Sequence, residues 1–178
     1  MRYILLLTSL LTSTTIAAPG FDETMAAAKQ GEAYAQFNLG IMYEYGDGVP
    51  ENDAEAVKWY RKAADQGYAD AQYNLGLMYN DGEGVPENDA EAVKWYRKAA
   101  DQGYADAQSN LGVMYYGGDG VPENNIRAYV WLSMAKAQGN AGAAGNIDIL
   151  KPTMTKQQIA QAQTLATQCY ESGYKDCD

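Results

Sequence analysis

The sequence predicts an all-α fold, a solenoid of antiparallel helix pairs with a 36-residue repeat. Three features point to it. Gly31, Gly67, Gly103 and Gly139 recur at one spacing, shared by Pro50, Pro86 and Pro122 and by Trp59, Trp95 and Trp131. Residues 33–68 and 69–104 differ only at Tyr34/Asp70, Phe37/Tyr73, Ile41/Leu77, Glu44/Asn80, Tyr45/Asp81 and Asp47/Glu83, and residues 105–140 form a third, more divergent copy. Within each copy apolar residues fall at helical spacing, so a unit that cannot bury its apolar face alone is stacked on its neighbours.

In chain order, Arg2, the apolar run Tyr3 to Leu11 and the small residues Thr15, Ala17 and Ala18 have the layout of a secretory signal peptide over residues 1–17. Cleavage after Ala17 keeps Pro19 out of the first mature position, and loss of Arg2 takes the net charge from −10 to −11. The mature chain is then expected in the periplasm or outside the cell, with no integral membrane segment. Ala27, Ala28 and Gly31 fit the end of a second helix, which makes 21–32 a half-repeat at the start of a solenoid over 21–150.

Each full copy reads as two helices. The first covers Ala33 to Tyr45 with Ala35, Leu39, Met42 and Tyr43 on one face, and stops at Gly46-Asp47-Gly48-Val49-Pro50. The second opens on a capping box of Asn52 and Glu55, echoed by Asn88 and Glu91, and buries Ala56, Trp59, Tyr60, Ala63 and Ala64 before Gly67 ends it. Residues 141–178 leave the repeat pattern: a short helix to Leu150, a breaker at Pro152, then Thr155 and Gln158 opening a helix with Ile159, Ala162, Leu165, Ala166 and Cys169 on its apolar face. This is expected to cap the last repeat, where Val130, Ser133 and Met134 replace the cations Lys94, Arg97 and Lys98. Cys169 and Cys177, in an exported chain, are expected to form a disulfide that clips the tail.

The segments Ala35-Gln36-Phe37-Asn38-Leu39-Gly40-Ile41-Met42-Tyr43, Gly46-Asp47-Gly48-Val49-Pro50 and Ala56-Val57-Lys58-Trp59-Tyr60-Arg61-Lys62-Ala63-Ala64 resemble the Sel-one-like repeat, a relative of the tetratricopeptide repeat. The resemblance implies a right-handed superhelix whose first helices line a concave groove, and a binding scaffold rather than an enzyme. It also implies, more narrowly, an envelope scaffold or an immunity protein that blocks a secreted effector such as a phospholipase.

Composition limits the alternatives. With 13 Lys and Arg against 23 Asp and Glu, the chain lacks the cation excess that phosphate binding needs, so no nucleic-acid partner is expected. The absence of His removes the commonest general base and metal ligand. No metal, cofactor or catalytic residue is expected, since the acidic loops with Asp47, Asp81 and Glu83 lack calcium-loop spacing. Ser133-Met134-Ala135-Lys136 matches S-x-x-K, which supports an alternative enzyme acting on β-lactams or peptidoglycan through Ser133 and Lys136. Against it, the chain has no K-T-G or S-D-N, and these residues occupy an ordinary repeat helix.

The differences between the near-identical copies mark the candidate partner site. Tyr34, Phe37, Ile41, Glu44 and Tyr45 share one helical face, as do Asp70, Tyr73, Leu77, Asn80 and Asp81, with Asp106, Ser109, Val113, Tyr116 and Gly117 in the third copy. Exposed drift and aromatic anchoring of a partner both fit this stripe. Beside it recur Asn38, Asn74 and Asn110, placed either to hold a peptide backbone or to make a repeated internal hydrogen bond. Lys58, Arg61, Lys62, Lys94, Arg97 and Lys98 fall on the outward side of the second helices. The expectation is therefore a monomer that binds a protein or peptide, of polar or basic character, in an aromatic and acidic groove.

Overall fold

A computed structural model describes residues 20–175 and 177, so the expected leader lies outside the described residues. Among these the chain runs through α1 (Phe21–Lys29), α2 (Ala33–Tyr45), α3 (Asp53–Asp65), α4 (Ala69–Asp81), α5 (Asp89–Ala100), α6 (Ala105–Gly117), α7 (Asn125–Ala137), α8 (Ala143–Leu150) and α9 (Lys156–Glu171), with a 3-10 turn at Lys151–Thr153. No strand occurs among the described residues. Helices pack in sequence, α2 on α3, α4 on α5 and α6 on α7, and each pair packs on the next, as a solenoid of 36-residue units requires.

The second helices are amphipathic: α3 buries Ala56, Val57, Trp59, Tyr60, Ala63 and Ala64, and α5 buries the equivalent six. Small residues let the pairs close. The Tyr60 ring lies flat on Gly40, where a Cβ would stand 2.5 Å from it, and Tyr96 repeats the contact on Gly76 at 2.6 Å. Trp59, Trp95 and Trp131 are all buried. Lys62 and Lys98 lay their ammonium groups over the first two rings, 3.6 and 3.8 Å from the centroids.

Asn52, Asn88 and Asn124 cap α3, α5 and α7, each accepting from the backbone N–H three residues on. The expected reciprocal half of the capping box is absent. The backbone N–H of Asn52 donates to Tyr43 O at 2.7 Å, and that of Asn88 to Tyr79 O at 2.8 Å, so the loop is tied back to the preceding helix. Glu55 and Glu91, released from that duty, pair with Lys58 and Lys94 at 2.6 Å.

Buried glutamines join the pairs, a role that composition alone hides. Gln36, Gln72 and Gln108 donate to the carbonyls of Ala28, Ala64 and Ala100 at the end of the preceding second helix, at 3.1, 3.0 and 3.1 Å. Their own Oε1 atoms accept from Gln66, Gln102 and Gln138 of their own pair's second helix at 2.7, 2.7 and 2.6 Å. Arg61 and Arg97, expected as solvated outer cations, are instead half-buried and donate to the hydroxyls of Tyr79 and Tyr115 in the next pair.

At the C-terminal end α9 packs on α7 and the two Val130 and Met134 side chains are buried, as are Ala162, Ala166 and Cys169 on the facing side. Thr155 and Gln158 form a full capping box for α9. Cys169 and Cys177 are joined in a disulfide.

Two substitutions test this packing. Gly84 has φ +68, and a Cβ there would run into the backbone carbonyl of Asp53 at the start of α3, whereas Gly139, at φ +86, has open space. Gly84→Ala is expected to cost about 3 kcal/mol and Gly139→Ala about 1 kcal/mol, read by urea unfolding. Equal losses would show that the loop does not rest on α3. Cys169→Ser opens a loop of sequence separation 8 and is expected to cost about 2–3 kcal/mol while helical circular dichroism is retained.

Candidate partner-binding face

The variable face of α2, α4 and α6 divides into residues left to solvent and residues taken up by neighbouring rings. Tyr34 and Tyr45 are 63% and 72% exposed, and Tyr116, Asp81 and Asp106 also face solvent. Phe37 and Tyr73, expected as exposed anchors, are half-buried. Phe37 packs on Tyr68 and Tyr60 with centroids 5.1 and 5.7 Å away, and Tyr73 on Tyr104 and Tyr96 at 5.0 and 5.9 Å. The tyrosine at the N-cap of each following first helix, Tyr68 for α4 and Tyr104 for α6, therefore covers the aromatic of the first helix before it. Ile41 and Leu77 are half-buried as well, packed on the core between pairs.

The asparagines make internal bonds. Asn74 supplies a hydrogen bond to the Tyr60 hydroxyl, and Asn110 supplies the same to Tyr96 and Tyr73. Asn38, in the first copy, is half-buried. Glu44 accepts from the Tyr60 hydroxyl. At the equivalent place Asn80 donates to Asp81 instead, at 2.6 Å, and Asp106 accepts from Asn140 at 2.7 Å. Asp70 lies near Tyr104.

Burial and carboxylates together keep these phenols protonated. Burial raises Tyr60, and the Glu44 hydrogen bond raises it further. Burial raises Tyr96. Tyr104 is pushed up to about 12, first by burial and then by the charges of Asp70 and Asp106.

Two cavities open along this face, each of 190 Å³. One is lined by Leu77, Asn80, Tyr96, Asn110, Val113, Met114 and Asp119, and the other by Val113, Tyr116, Leu132, Asn146 and Ile149. Of these, Leu77, Asn80, Asn110 and Tyr116 belong to the stripe marked by sequence. Val113 belongs to the same stripe in the third copy, whereas Tyr96, Asp119, Leu132 and Ile149 carry no such mark in the sequence, because their role depends on how one pair sits on the next.

Chemistry of other kinds finds little support. Ser133 is half-buried and Lys136 exposed on α7, and among the described residues no hydrogen bond joins them. No group of three or more His, Cys, Asp or Glu among the described residues is placed to hold a metal ion. No helix among them is long and apolar enough to cross a membrane.

This arrangement defines a helix-pair solenoid with a variable, cavity-bearing face. The Sel1 repeat model matches residues 33–68, 69–104 and 105–140, and the chain belongs to that family. Its structure is similar to a Sel1 repeat protein from Oxalobacter formigenes, at 43% identity and TM-score 0.66 over 68% of this chain and 49% of that one. It is similar also to c5321, a protective antigen of uropathogenic Escherichia coli strains with an SLR fold, at 35% identity and TM-score 0.79 over 88% of this chain and 34% of that one. The Helicobacter pylori cysteine rich protein B shares the fold at 22% identity and TM-score 0.56, over 70% of this chain and 89% of that one. The chain thus spans about half and about a third of the first two. Among curated proteins none matches the chain. Sel1 repeat proteins are in general protein-interaction scaffolds, and the family is not an enzyme family.

The raised tyrosines give a pH dependence. Tyr104 holds its proton more tightly folded than unfolded, where a phenol ionises near 10. Its contribution to stability is complete below about pH 10 and is lost as pH rises through about 12. The melting temperature of the protein is expected to fall across that window, and the fall to be shallower in Tyr104→Phe. Identical slopes would remove Tyr104 from the explanation.

Proposed function

We propose that this chain is a non-catalytic scaffold of an oxidising compartment, periplasmic or secreted, that binds a segment of a protein partner along the face formed by α2, α4 and α6. The carrying observation is where variation falls. Two copies that share 30 of 36 residues, as their six differences leave, place those differences on the first helix and its loop, beside two open cavities. The glutamines and the Gly40 and Gly76 contacts are unchanged between them, while the half-buried pairs Phe37/Tyr73 and Ile41/Leu77 exchange one aromatic or aliphatic side chain for another. The disulfide supports an oxidising compartment. An immunity role against a secreted effector is one form that such binding takes, since the partner there is also a protein.

The test is an affinity series on peptides selected from a displayed random library, with the folded chain as bait. Combined alanine substitution of Tyr34, Tyr45 and Tyr116 is expected to weaken binding by about 1–2 kcal/mol, the cost of losing an exposed aromatic anchor. Lys58→Ala and Lys94→Ala, on the outer side, are expected to change it by less than about 0.5 kcal/mol. The opposite pattern would place the interface on the second helices.

A further inference from the structure

The two cavities are one structural position seen twice. Leu77, Asn80, Tyr96, Asn110 and Val113 of the first correspond, one period on, to Val113, Tyr116, Leu132, Asn146 and Ile149 of the second. Val113 is the wall they share. One period earlier the position holds Ile41, Glu44, Tyr60, Asn74 and Leu77, and there the chain supplies its own occupant: the Glu44 carboxylate accepts a hydrogen bond from the Tyr60 hydroxyl, which Asn74 also bonds. At the middle position the carboxylate is gone. Asn80 turns to Asp81, and Tyr96, only 1% exposed, receives the bond from Asn110 with no carboxylate among the described residues to accept its proton. At the last position the phenol itself is replaced by Leu132, the carboxylate by Tyr116, and the lining becomes apolar, with Ile149 62% exposed at its edge.

Tyr96, Asn80 and Asn110 line this cavity with groups that can hydrogen-bond a ligand, and an exposed carboxylate in the same lining calls for a cation. Asp119 supplies that carboxylate at the same cavity, with Asp81 and Asp106 exposed on the same face of a chain whose net charge is −10. An acidic occupant is disfavoured by like charge; a basic one is drawn in. The neighbouring cavity offers no charge and takes an aliphatic or aromatic side chain.

We propose that these adjoining cavities read two neighbouring side chains of an extended, basic partner segment. A lysine or arginine meets Asp119 at the polar cavity, where a carbonyl of the segment accepts from Tyr96. An apolar residue next to it fills the space between Val113, Leu132 and Ile149. The inference rests on the reading of this face as the binding surface and narrows it to the C-terminal half, because the first position is closed by Glu44.

The probe is a set of fluorescent heptapeptides taken from a random displayed library panned on the folded chain, with affinity read by anisotropy. The selected peptides are expected to carry Lys or Arg within two residues of an apolar residue, and exchange of that cation for Glu to weaken binding at least tenfold. Asn80→Glu restores the residue that closes the first position and is expected to weaken binding at least tenfold at an unchanged melting temperature. Asp119→Lys and Ile149→Asp, both at exposed positions, are expected to do the same by charge and by polarity, and they carry the test if Asn80→Glu alters folding. Unchanged affinity in all three variants overturns the proposal. If binding is instead lost on Tyr34→Ala alone, the face remains the binding surface and the two-cavity assignment is wrong. If the chain selects no peptide, both fall.

Discussion

The buried side-chain amides of Gln36, Gln72 and Gln108 set the geometry on which everything else rests. Each lies in the seam between helix pairs, donates to the last turn of the preceding second helix and accepts from the glutamine that ends its own pair's second helix. The last carbonyls of a helix have no partner within it; Ala28, Ala64 and Ala100 accept from the backbone N–H of Gly31, Gly67 and Gly103 at 3.1, 3.0 and 2.9 Å, and the glutamine amide fills their second acceptor site from the next helix. A side chain with both a donor and an acceptor at its tip satisfies the carbonyl and still has an oxygen for the next helix. Aspartate or glutamate lacks the donor, and leucine lacks both. One residue type thus fixes the spacing of three helices, and its repetition propagates one step along the whole stack.

With the step fixed, the other contacts follow as consequences of distance. Tyr60 and Tyr96 come close enough to Gly40 and Gly76 that no side chain fits beneath them. The tyrosine at the N-cap of each following first helix, Tyr68 and then Tyr104, arrives over the aromatic of the first helix before it, Phe37 and then Tyr73. Arg61 and Arg97 reach the hydroxyls of Tyr79 and Tyr115. The glycines, tyrosines and arginines of these contacts are the same in the first two copies, while the covered ring is Phe37 in one and Tyr73 in the next. Variation between the first two copies falls on the first helix and its loop, at covered places such as Phe37/Tyr73 and Ile41/Leu77 as well as at exposed ones, and at one of them Glu44, bonded to Tyr60, gives way to Asn80, which lines the polar cavity. On the proposed reading, packing and recognition share the first helix, and the exposed differences such as Tyr34/Asp70 and Tyr45/Asp81 are the ones a partner meets.

The repeat made most of the fold legible. Asparagine before an acidic first turn, glycine after the last, and glycine and proline in the loop delimit the helices, so α2 begins and ends where the pattern predicts it. Interactions between repeats were less legible, for physical reasons. A glutamine in a polar-looking position gives no sign in its own helix that it is buried. Phe37 and Tyr73 share a face with Tyr34, and only the neighbouring pair decides that two of the three are covered. Glu55 has the spacing of a capping box, yet the Asn52 amide it would bond is taken by Tyr43. Of the candidate site, the variable stripe could be marked from the sequence, whereas Tyr96, Leu132 and Ile149 become part of it only when α5, α7 and α8 are set beside α4 and α6.

The recognition role of the differences between repeats is tested most directly by making the second repeat identical to the first, through Asp70→Tyr, Tyr73→Phe, Leu77→Ile, Asn80→Glu, Asp81→Tyr and Glu83→Asp in one chain, and measuring its affinity for a peptide bound by the original. All six residues already stand at the equivalent places one period earlier, so the unfolding free energy should stay within about 1 kcal/mol of the original. Binding should weaken more than tenfold. A variant that keeps both its stability and its affinity would show that the differences between repeats are not what the partner reads.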